Sequence, residues 1–221
     1  MTSTASIRGI SDTSSQPAVR GFLHVPEQAN GDGLVLTHGA GGNCQSKLLA
    51  SLAGAFAEAG FTVLRCDLPF RQQRPHGPPS PGSAATDRAG LERAVEVLRP
   101  LVSSRVYLGG HSYGGRQATM LLAENRAVAD GLLLLSYPLH PPRKPAELRV
   151  KHFPKLTTPA LFVHGSRDPF GSIDEVTSAL KLIPARNMLM EVAGAGHDLS
   201  SAKAAGSLPA DIVQTFQTFF A

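Results

Sequence analysis

Short runs of Val, Leu and Phe alternate along the chain with longer stretches in which apolar residues recur every three or four positions. The short runs have the composition of buried strands, and the longer stretches have the spacing of amphipathic helices. Predicted strands cover 34–39, 61–67, 105–110, 130–138, 159–165 and 187–194. Predicted helices cover 46–60, 85–100, 112–125 and 172–184, and a last helix begins near Pro209. This alternation predicts an α/β fold with a mostly parallel central sheet and helices on both faces.

The length of 221 residues fits one domain, which we place at 18–221. Residues 1–17 are rich in Ser and Thr, and we interpret them as a flexible N-terminal leader. They lack the apolar stretch of a secretory signal, so a cytoplasmic location is expected. In that compartment the two cysteines, Cys44 and Cys66, are expected to remain free thiols.

The apolar content and the charge distribution indicate which kinds of molecule the protein can bind. Apolar residues make up 42% of the chain and charged residues 17%, and no window approaches the roughly 20 apolar residues that a membrane-spanning helix needs. The formal charge of +4 is spread out, and its densest patches, FRQQRPHGPP and HPPRKPAELRVKH, are broken by prolines. We therefore predict a small-molecule partner and neither nucleic acid nor membrane, and leave the oligomeric state open.

Two long connections stand out, one from Pro69 to Pro81 and one from Pro138 to Pro159. Both follow predicted strands, so both leave the sheet at the C-terminal edge, where open α/β sheets bind ligands. Long loops in compact domains are often functional. Neither is long enough to form a separate cap domain.

A serine stands among glycines directly after the predicted strand 105–110, in the segment GGHSYGG. Gly110, Ser112 and Gly114 match the pattern G-x-S-x-G, with a strand before it and a helix after it. In such a turn, side chains at the glycine positions would collide with neighbouring elements, and the serine takes a strained backbone conformation. The serine is thereby raised above the sheet at a helix N-terminus, whose dipole favours developing negative charge. The context predicts Ser112 as a nucleophile.

A serine nucleophile needs a base and an acid that orients the base. Of the eight histidines, His197 lies in a Gly-rich loop directly after the last predicted strand, within reach of Ser112. Asp168 lies three residues beyond Gly165, in the loop after the preceding strand. We predict His197 as the base and Asp168 as the acid. The alternatives are a loop-capping histidine and a turn-capping aspartate before Pro169.

Acyl transfer also needs hydrogen-bond donors for the oxyanion. The segment THGAGG at 37–42 supplies a turn after the strand 34–39, and we predict the backbone N–H groups of Ala40 and Tyr113 as the donors. A glycine turn that merely leads into the next helix is the alternative.

Loop residues around the same edge predict a substrate-binding surface, for which ordinary packing is the alternative role. Its members are Phe70, Tyr137, Leu139 and Phe170. Three loop arginines, Arg71, Arg74 and Arg143, are expected near the mouth of the site, either to attract an anionic substrate or as solvated charge.

The chain order Ser112, Asp168, His197 is that of α/β-hydrolases. More narrowly, LTHGAGG, GGHSYGGRQA, SYPLHPP and LFVHGSRDPFG resemble a small lidless branch of that superfamily near the dienelactone hydrolases, which also includes animal proteins related to a subunit of a chromatin acetyltransferase complex. The resemblance covers the chain from Gly21 onward. It implies the α/β-hydrolase fold without a cap domain, no cofactor or metal, and an acyl-serine intermediate. Dienelactone hydrolases carry cysteine in place of Ser112, so their substrate is not carried over.

The motifs together predict a serine hydrolase of esterase type that acts on a small or exposed acyl substrate. A cofactor-free perhydrolase or a thioesterase would use the same groups. The alternative from another class is an interaction or scaffold protein that keeps the fold with little or no turnover, as some members of the resembling branch do.

Overall fold

One mixed sheet organises the part of the chain that the computed structural model describes, residues 5–200 and 207–221. Its strands are β1 (Ser6–Asp12), β2 (Val19–Val25), β3 (Gly33–Thr37), β4 (Thr62–Cys66), β5 (Val106–His111), β6 (Gly131–Leu135), β7 (Ala160–Gly165) and β8 (Asn187–Val192). Their order across the sheet is β1-β2-β4-β3-β5-β6-β7-β8. β2 pairs antiparallel with β1 and β4, and all other neighbours are parallel. The predicted mostly parallel sheet is confirmed.

Helices cover both faces of this sheet, as the alternating pattern predicts. They are α1 (Lys47–Glu58), α2 (Pro69–Gln73), α3 (Ala84–Leu98), α4 (Tyr113–Glu124), α5 (Ile173–Leu180) and α6 (Leu208–Phe220). The buried residues of α1 and α6 belong to one hydrophobic cluster, and those of α3, α4 and α5 belong to a second cluster. The sheet therefore forms the middle of three layers.

Strand β6 shows why the middle layer is apolar on both sides. Leu132 and Leu134 belong to one cluster, Leu133 and Leu135 belong to the other, and all four are fully buried. Successive strand residues point to opposite faces of the sheet. A parallel strand with helices packed on both faces therefore consists of consecutive apolar residues. Burial of each such leucine contributes about 2 kcal/mol.

The predicted flexible leader is wrong for the residues that the structure describes. Ser6–Asp12 form β1, which pairs with β2 along its whole length, from Ser6 opposite Val25 to Asp12 opposite Val19. Residues 1–4 lie outside the described part of the chain. Backbone hydrogen bonds hold this edge strand while most of its side chains face solvent, so an apolar pattern does not reveal it. The folded unit thus begins well before residue 18.

The connection from Pro69 to Pro81 also differs from the prediction at its start. Residues 69–73 form the short helix α2, with Pro69 in its first turn, where the missing N–H costs nothing. The rest of this connection has no helix or strand, as expected.

The two cysteines are free and buried. Burial raises the pKa of the Cys44 thiol to about 12, and burial also raises the pKa of Cys66. Neither thiol is therefore a thiolate at neutral pH, and neither is accessible.

No cap domain is inserted between the elements of the described chain. Within the same residues, no helix combines the length and apolar character that crossing a bilayer requires.

Candidate active site

The turn between β5 and α4 presents Ser112 at the C-terminal edge of the sheet. Ser112 has a φ of 50°, a backbone conformation that non-glycine residues rarely adopt. Its N–H donates to Leu135 O at 2.8 Å, and its carbonyl accepts from Arg116 N–H at 2.9 Å. Strained backbone of this kind persists only where surrounding contacts fix it, and such residues concentrate at functional sites.

Gly110 explains why this turn is rich in glycine. A Cβ atom at Gly110 would lie 2.5 Å from the backbone nitrogen of Gly115, closer than side chains approach backbone atoms. The strand and helix can therefore pack this closely only without a side chain at this position. The steric reason given for the glycine pattern is confirmed here.

His197 lies in the loop after β8 and contacts Ser112. Its Nε2 is 2.8 Å from Ser112 Oγ, and its Nδ1 is 2.8 Å from Asp168 Oδ2. An ionised carboxylate only accepts hydrogen bonds, so Nδ1 carries the proton and Nε2 accepts from the serine hydroxyl. The structure thus joins the three residues that the sequence predicted for nucleophile, base and acid.

Asp168 serves two partners from a fully buried side chain. Its Oδ2 accepts from His197, and its Oδ1 accepts from Phe170 N–H at 2.9 Å. The turn-capping role and the predicted contact with His197 are both present, each on a different oxygen. The cap fixes the carboxylate plane, so Oδ2 is directed at the histidine.

His111 and Phe170 hold His197 from two sides. His111 Nε2 donates to the His197 carbonyl at 2.7 Å, and the Phe170 ring lies over the His197 ring with centroids 4.2 Å apart. Burial lowers the pKa of His111, so it stays neutral and can donate from one nitrogen only. No sequence pattern predicts this role, because the partner of His111 is a backbone carbonyl.

The predicted oxyanion donors lie on elements that meet at Ser112. Tyr113 is the first residue of α4, where backbone N–H groups have no partner within the helix. Ala40 lies in a tight turn closed by Gly42 N–H, which donates to Gly39 O at 3.2 Å. A Cβ atom at Gly39 would be 3.2 Å from Ser112 Cβ, so this turn packs directly against the serine. Both predicted donors therefore belong to segments that adjoin Ser112.

His38 fixes the orientation of this turn. Leu68 N–H donates to His38 Nε2 at 3.1 Å, so the proton is on Nδ1, which donates to Gly39 O at 2.8 Å. Burial lowers the pKa of His38 and keeps it in this neutral form. In a trans peptide the C=O and N–H groups point in opposite directions, so a fixed Gly39 carbonyl also fixes the Ala40 N–H.

A pocket of about 830 Å³ opens beside Ser112 and His197. Its apolar wall consists of Leu48, Phe170, Leu199, Leu208 and Pro209. The volume lies in the range of small-molecule sites. The wall residues other than Phe170 were missed, because they belong to loops and helix ends distant in sequence from the motifs.

Three of the four predicted substrate-binding residues are core residues instead. Phe70, Tyr137 and Leu139 are at most 4% exposed and belong to the hydrophobic cluster of α3, α4 and α5. Apolar residues that follow a strand turn back into the core where space is available, and burial stabilises them there. Of the four predicted substrate-binding residues, only Phe170 lines the pocket.

The predicted arginines do not line the pocket either. Arg71 is buried, and its guanidinium donates to backbone carbonyls, among them Ala40 O at 2.8 Å. Arg74 and Arg143 are exposed on their loops. The interpretation of Arg71 as a charge at the mouth is therefore wrong, because its donors are used inside the protein.

Comparison with known proteins identifies the family. The model of a family described as an alpha/beta hydrolase domain matches residues 30–220. The chain belongs to this α/β hydrolase family. The motif resemblance found in the sequence is thereby confirmed at the level of family and fold.

Solved structures of α/β hydrolases cover nearly the whole chain. Dienelactone hydrolase from Anabaena variabilis is similar with a TM-score of 0.77 and 20% identity, over 98% of this chain and 99% of that one. An α/β serine hydrolase without lid from Xanthomonas campestris has a TM-score of 0.71 and 16% identity, over 97% and 94%. Est1E from Butyrivibrio proteoclasticus has a TM-score of 0.74 and 15% identity, over 96% and 98%. At these identities the likeness shows the fold.

Proposed function

We propose that this α/β hydrolase is a serine esterase with Ser112, His197 and Asp168 as its catalytic residues. One observation carries the proposal: Ser112 Oγ, His197 and Asp168 form a continuous hydrogen-bonded chain with both links at 2.8 Å. At one end of this series of hydrogen bonds is Ser112, whose backbone is strained and which lies beside the pocket. Nucleophile and base within hydrogen-bond reach, with the base oriented by a third group, is the geometry of covalent acyl transfer.

In the first half of the reaction, His197 Nε2 takes the proton of Ser112 as Oγ attacks the carbonyl carbon of the ester. The carbonyl π bond opens, and the resulting oxyanion accepts hydrogen bonds from the amides of Ala40 and Tyr113. The oxyanion then re-forms the C=O bond as the C–O bond to the alcohol breaks, and His197 gives its proton to the leaving oxygen. The products of this half are the alcohol and an acyl ester on Ser112.

Water completes the cycle along the same route. His197 takes a proton from water, the hydroxyl attacks the acyl carbon, and the bond to Ser112 Oγ breaks as that oxygen regains its proton from His197. Asp168 holds the imidazole in the required tautomer and stabilises the imidazolium that forms in each half.

The pocket supports an apolar acyl group of small to medium size. Its wall is aliphatic and aromatic, and Phe170 presents a ring face next to His197. A carboxylic ester with a short aliphatic or aromatic acyl part fits this surface. Est1E has been solved with ferulic acid bound, so an aromatic ester belongs in the substrate panel.

The decisive experiment measures the intact mass of the protein after incubation with a small fluorophosphonate. We expect one adduct that maps to Ser112 and is absent in Ser112→Ala. Ser46, which also lines the pocket, provides the matched control: Ser46→Ala is expected to be labelled like the wild type. A folded wild type that stays unmodified would contradict the proposal and favour the interaction-protein alternative.

The same proposal includes a small-molecule acyl substrate as the partner and a cytoplasmic location. The free, buried cysteines are consistent with a reducing compartment, where disulfides are rare.

A further inference from the structure

Arg71 on α2 is buried, yet among the described residues no carboxylate forms an ion pair with it. Its guanidinium donates to four backbone carbonyls instead. Nε donates to Gly42 O at 2.8 Å and Nη1 to Arg74 O at 3.1 Å, while Nη2 donates to Ala40 O at 2.8 Å and Gly77 O at 3.0 Å. A buried cation is tolerated only when its donors are satisfied, and carbonyl dipoles satisfy this one.

Two of these carbonyls belong to the turn that carries the proposed oxyanion donor. Ala40 O and Gly42 O are held by Arg71, and Gly39 O is held by His38. The peptide planes on both sides of Ala40 are therefore fixed by side-chain donors. C=O and N–H point in opposite directions in each trans peptide, so His38 on Gly39 O sets the direction of the Ala40 N–H. Arg71 on Ala40 O fixes the next peptide plane, and the two contacts together leave Ala40 no freedom to rotate.

The other two carbonyls belong to the Pro-rich connection that follows α2. Arg74 O and Gly77 O converge on the same guanidinium, so this connection packs behind the oxyanion turn. Arginine offers five N–H donors in a rigid plane, whereas a lysine ammonium is a compact point charge with three. A lysine can keep the charge but cannot span four carbonyls.

We propose that Arg71 is a positioning residue of the oxyanion site, which holds the Ala40–Gly42 turn in the geometry that binds the developing oxyanion. This inference rests on the proposed esterase function. Arg71 touches no reacting atom, and it acts through the backbone of Ala40 and Gly42. It gives the turn a rigidity that a glycine-rich segment lacks by itself.

The test compares Arg71→Lys with the wild type in steady-state esterase kinetics. We expect kcat to fall about 10- to 100-fold while KM changes less than about threefold, because a misplaced donor weakens transition-state binding more than ground-state binding. The affinity for phenylboronic acid, which bonds to Ser112 and places an oxygen at the oxyanion position, should fall by a similar factor. A merely structural role would lower the melting temperature and leave kcat and the affinity for phenylboronic acid unchanged.

Arg74→Lys is the matched control, since Arg74 is exposed and lies three residues further along the same segment. It should retain wild-type kcat and wild-type affinity for phenylboronic acid. Arg71→Gln, which is neutral and keeps two N–H donors, serves as the second variant if Arg71→Lys does not fold.

Three results would overturn the inference. They are a wild-type kcat and boronate affinity in a folded Arg71 variant, a fall in kcat matched by Arg74→Lys, and loss of folding in both Arg71 variants. Fluorophosphonate labelling of the wild type separates these results from failure of the function itself. An unlabelled wild type refutes the esterase and the inference together, whereas a labelled wild type with an unaffected Arg71 variant refutes only the inference.

Discussion

At the scale of single residues, Asp168 shows how a turn and a reaction can share one carboxylate. Oδ1 must remain an acceptor because the Phe170 N–H points at it, which leaves Oδ2 for His197. An amide at this position would keep its oxygen on Phe170 and turn its NH2 group toward the histidine. His197 would then have to accept at Nδ1 and carry its proton on Nε2, the tautomer that cannot take a proton from Ser112.

We therefore predict that Asp168→Asn lowers kcat by about three to four orders of magnitude while the protein stays folded. The kinetics of a chromogenic ester and the melting temperature, both compared with the wild type, check this. Asp198→Asn is the matched control, since Asp198 lines the pocket and its Oδ1 accepts from Ser200 instead of orienting His197, and it should keep most of the activity. A loss of less than tenfold for Asp168→Asn would contradict the assignment of the acid.

The sequence predicted the contacts among Ser112, Asp168 and His197 because each follows a strand at the same edge of the sheet. The sequence could not predict the positioning roles of His38, His111 and Arg71. These side chains donate hydrogen bonds to backbone carbonyls. Every residue has a carbonyl, so such contacts leave no pattern of partner residue types. They depend on where loops meet in space.

At the scale of elements, the junction of β5 and α4 tolerates no added atom. Gly110 faces the backbone of Gly115 from within the turn, whereas Gly54 in α1 has no atom within 4 Å of an added Cβ. The two glycines thus provide a crowded and an open position in the same molecule.

For Gly110→Ala we predict a loss of about 1–3 kcal/mol in the free energy of unfolding, since backbone atoms must shift to admit the methyl group. For Gly54→Ala we predict a gain of about 0.5–1 kcal/mol from helix propensity. Urea unfolding of the two variants and the wild type measures both. Equal effects, or a neutral Gly110→Ala, would disprove the close packing of this turn.

The pattern missed three elements, β1, β2 and α2. In β2 the buried Val19 and Leu23 are separated by residues that are less buried, so no continuous apolar run marks the strand. β1 and α2 share another physical cause. β1 is an edge strand with mostly exposed side chains, and α2 is only five residues long and begins with proline. Periodicity detects elements that bury one face over several turns or pleats, as the central strands do. Short or solvated elements are held by backbone pairing and tertiary contacts, so their sequence carries little signal.

At the scale of the whole molecule, a buried histidine links stability to pH. His24 on β2 accepts a hydrogen bond at Nε2 from Arg65 Nε at 2.8 Å and is 1% exposed. Burial, together with the charge of Arg65, lowers the pKa of His24 from its usual value near 6.5 to about 4. Between these two pH values the unfolded chain binds a proton that the folded protein does not.

Stability should accordingly rise with pH across this window and be lost as the pH falls from 6.5 toward 4. His24 alone should account for a loss on the order of 2 kcal/mol at pH 5 relative to pH 7.5. We predict that His24→Gln, which keeps an acceptor for Arg65, flattens the dependence by that amount. Burial and the charge of Arg116 also lower the pKa of His152 to about 4. The pH dependence that remains in the His24→Gln variant therefore has the same sign. Urea unfolding at pH 7.5, 6 and 5 checks the prediction, and parallel curves for His24→Gln and the wild type would refute it.

Because both thiols are buried, the native protein should not react with maleimide dyes. A cysteine introduced at an exposed position would therefore be the single labelling site, with no need to remove Cys44 or Cys66. Lys47 is such a position, because it is exposed and borders the pocket. A fluorophore attached to Lys47→Cys would report the arrival and departure of ligands in real time, and binding could be followed without turnover.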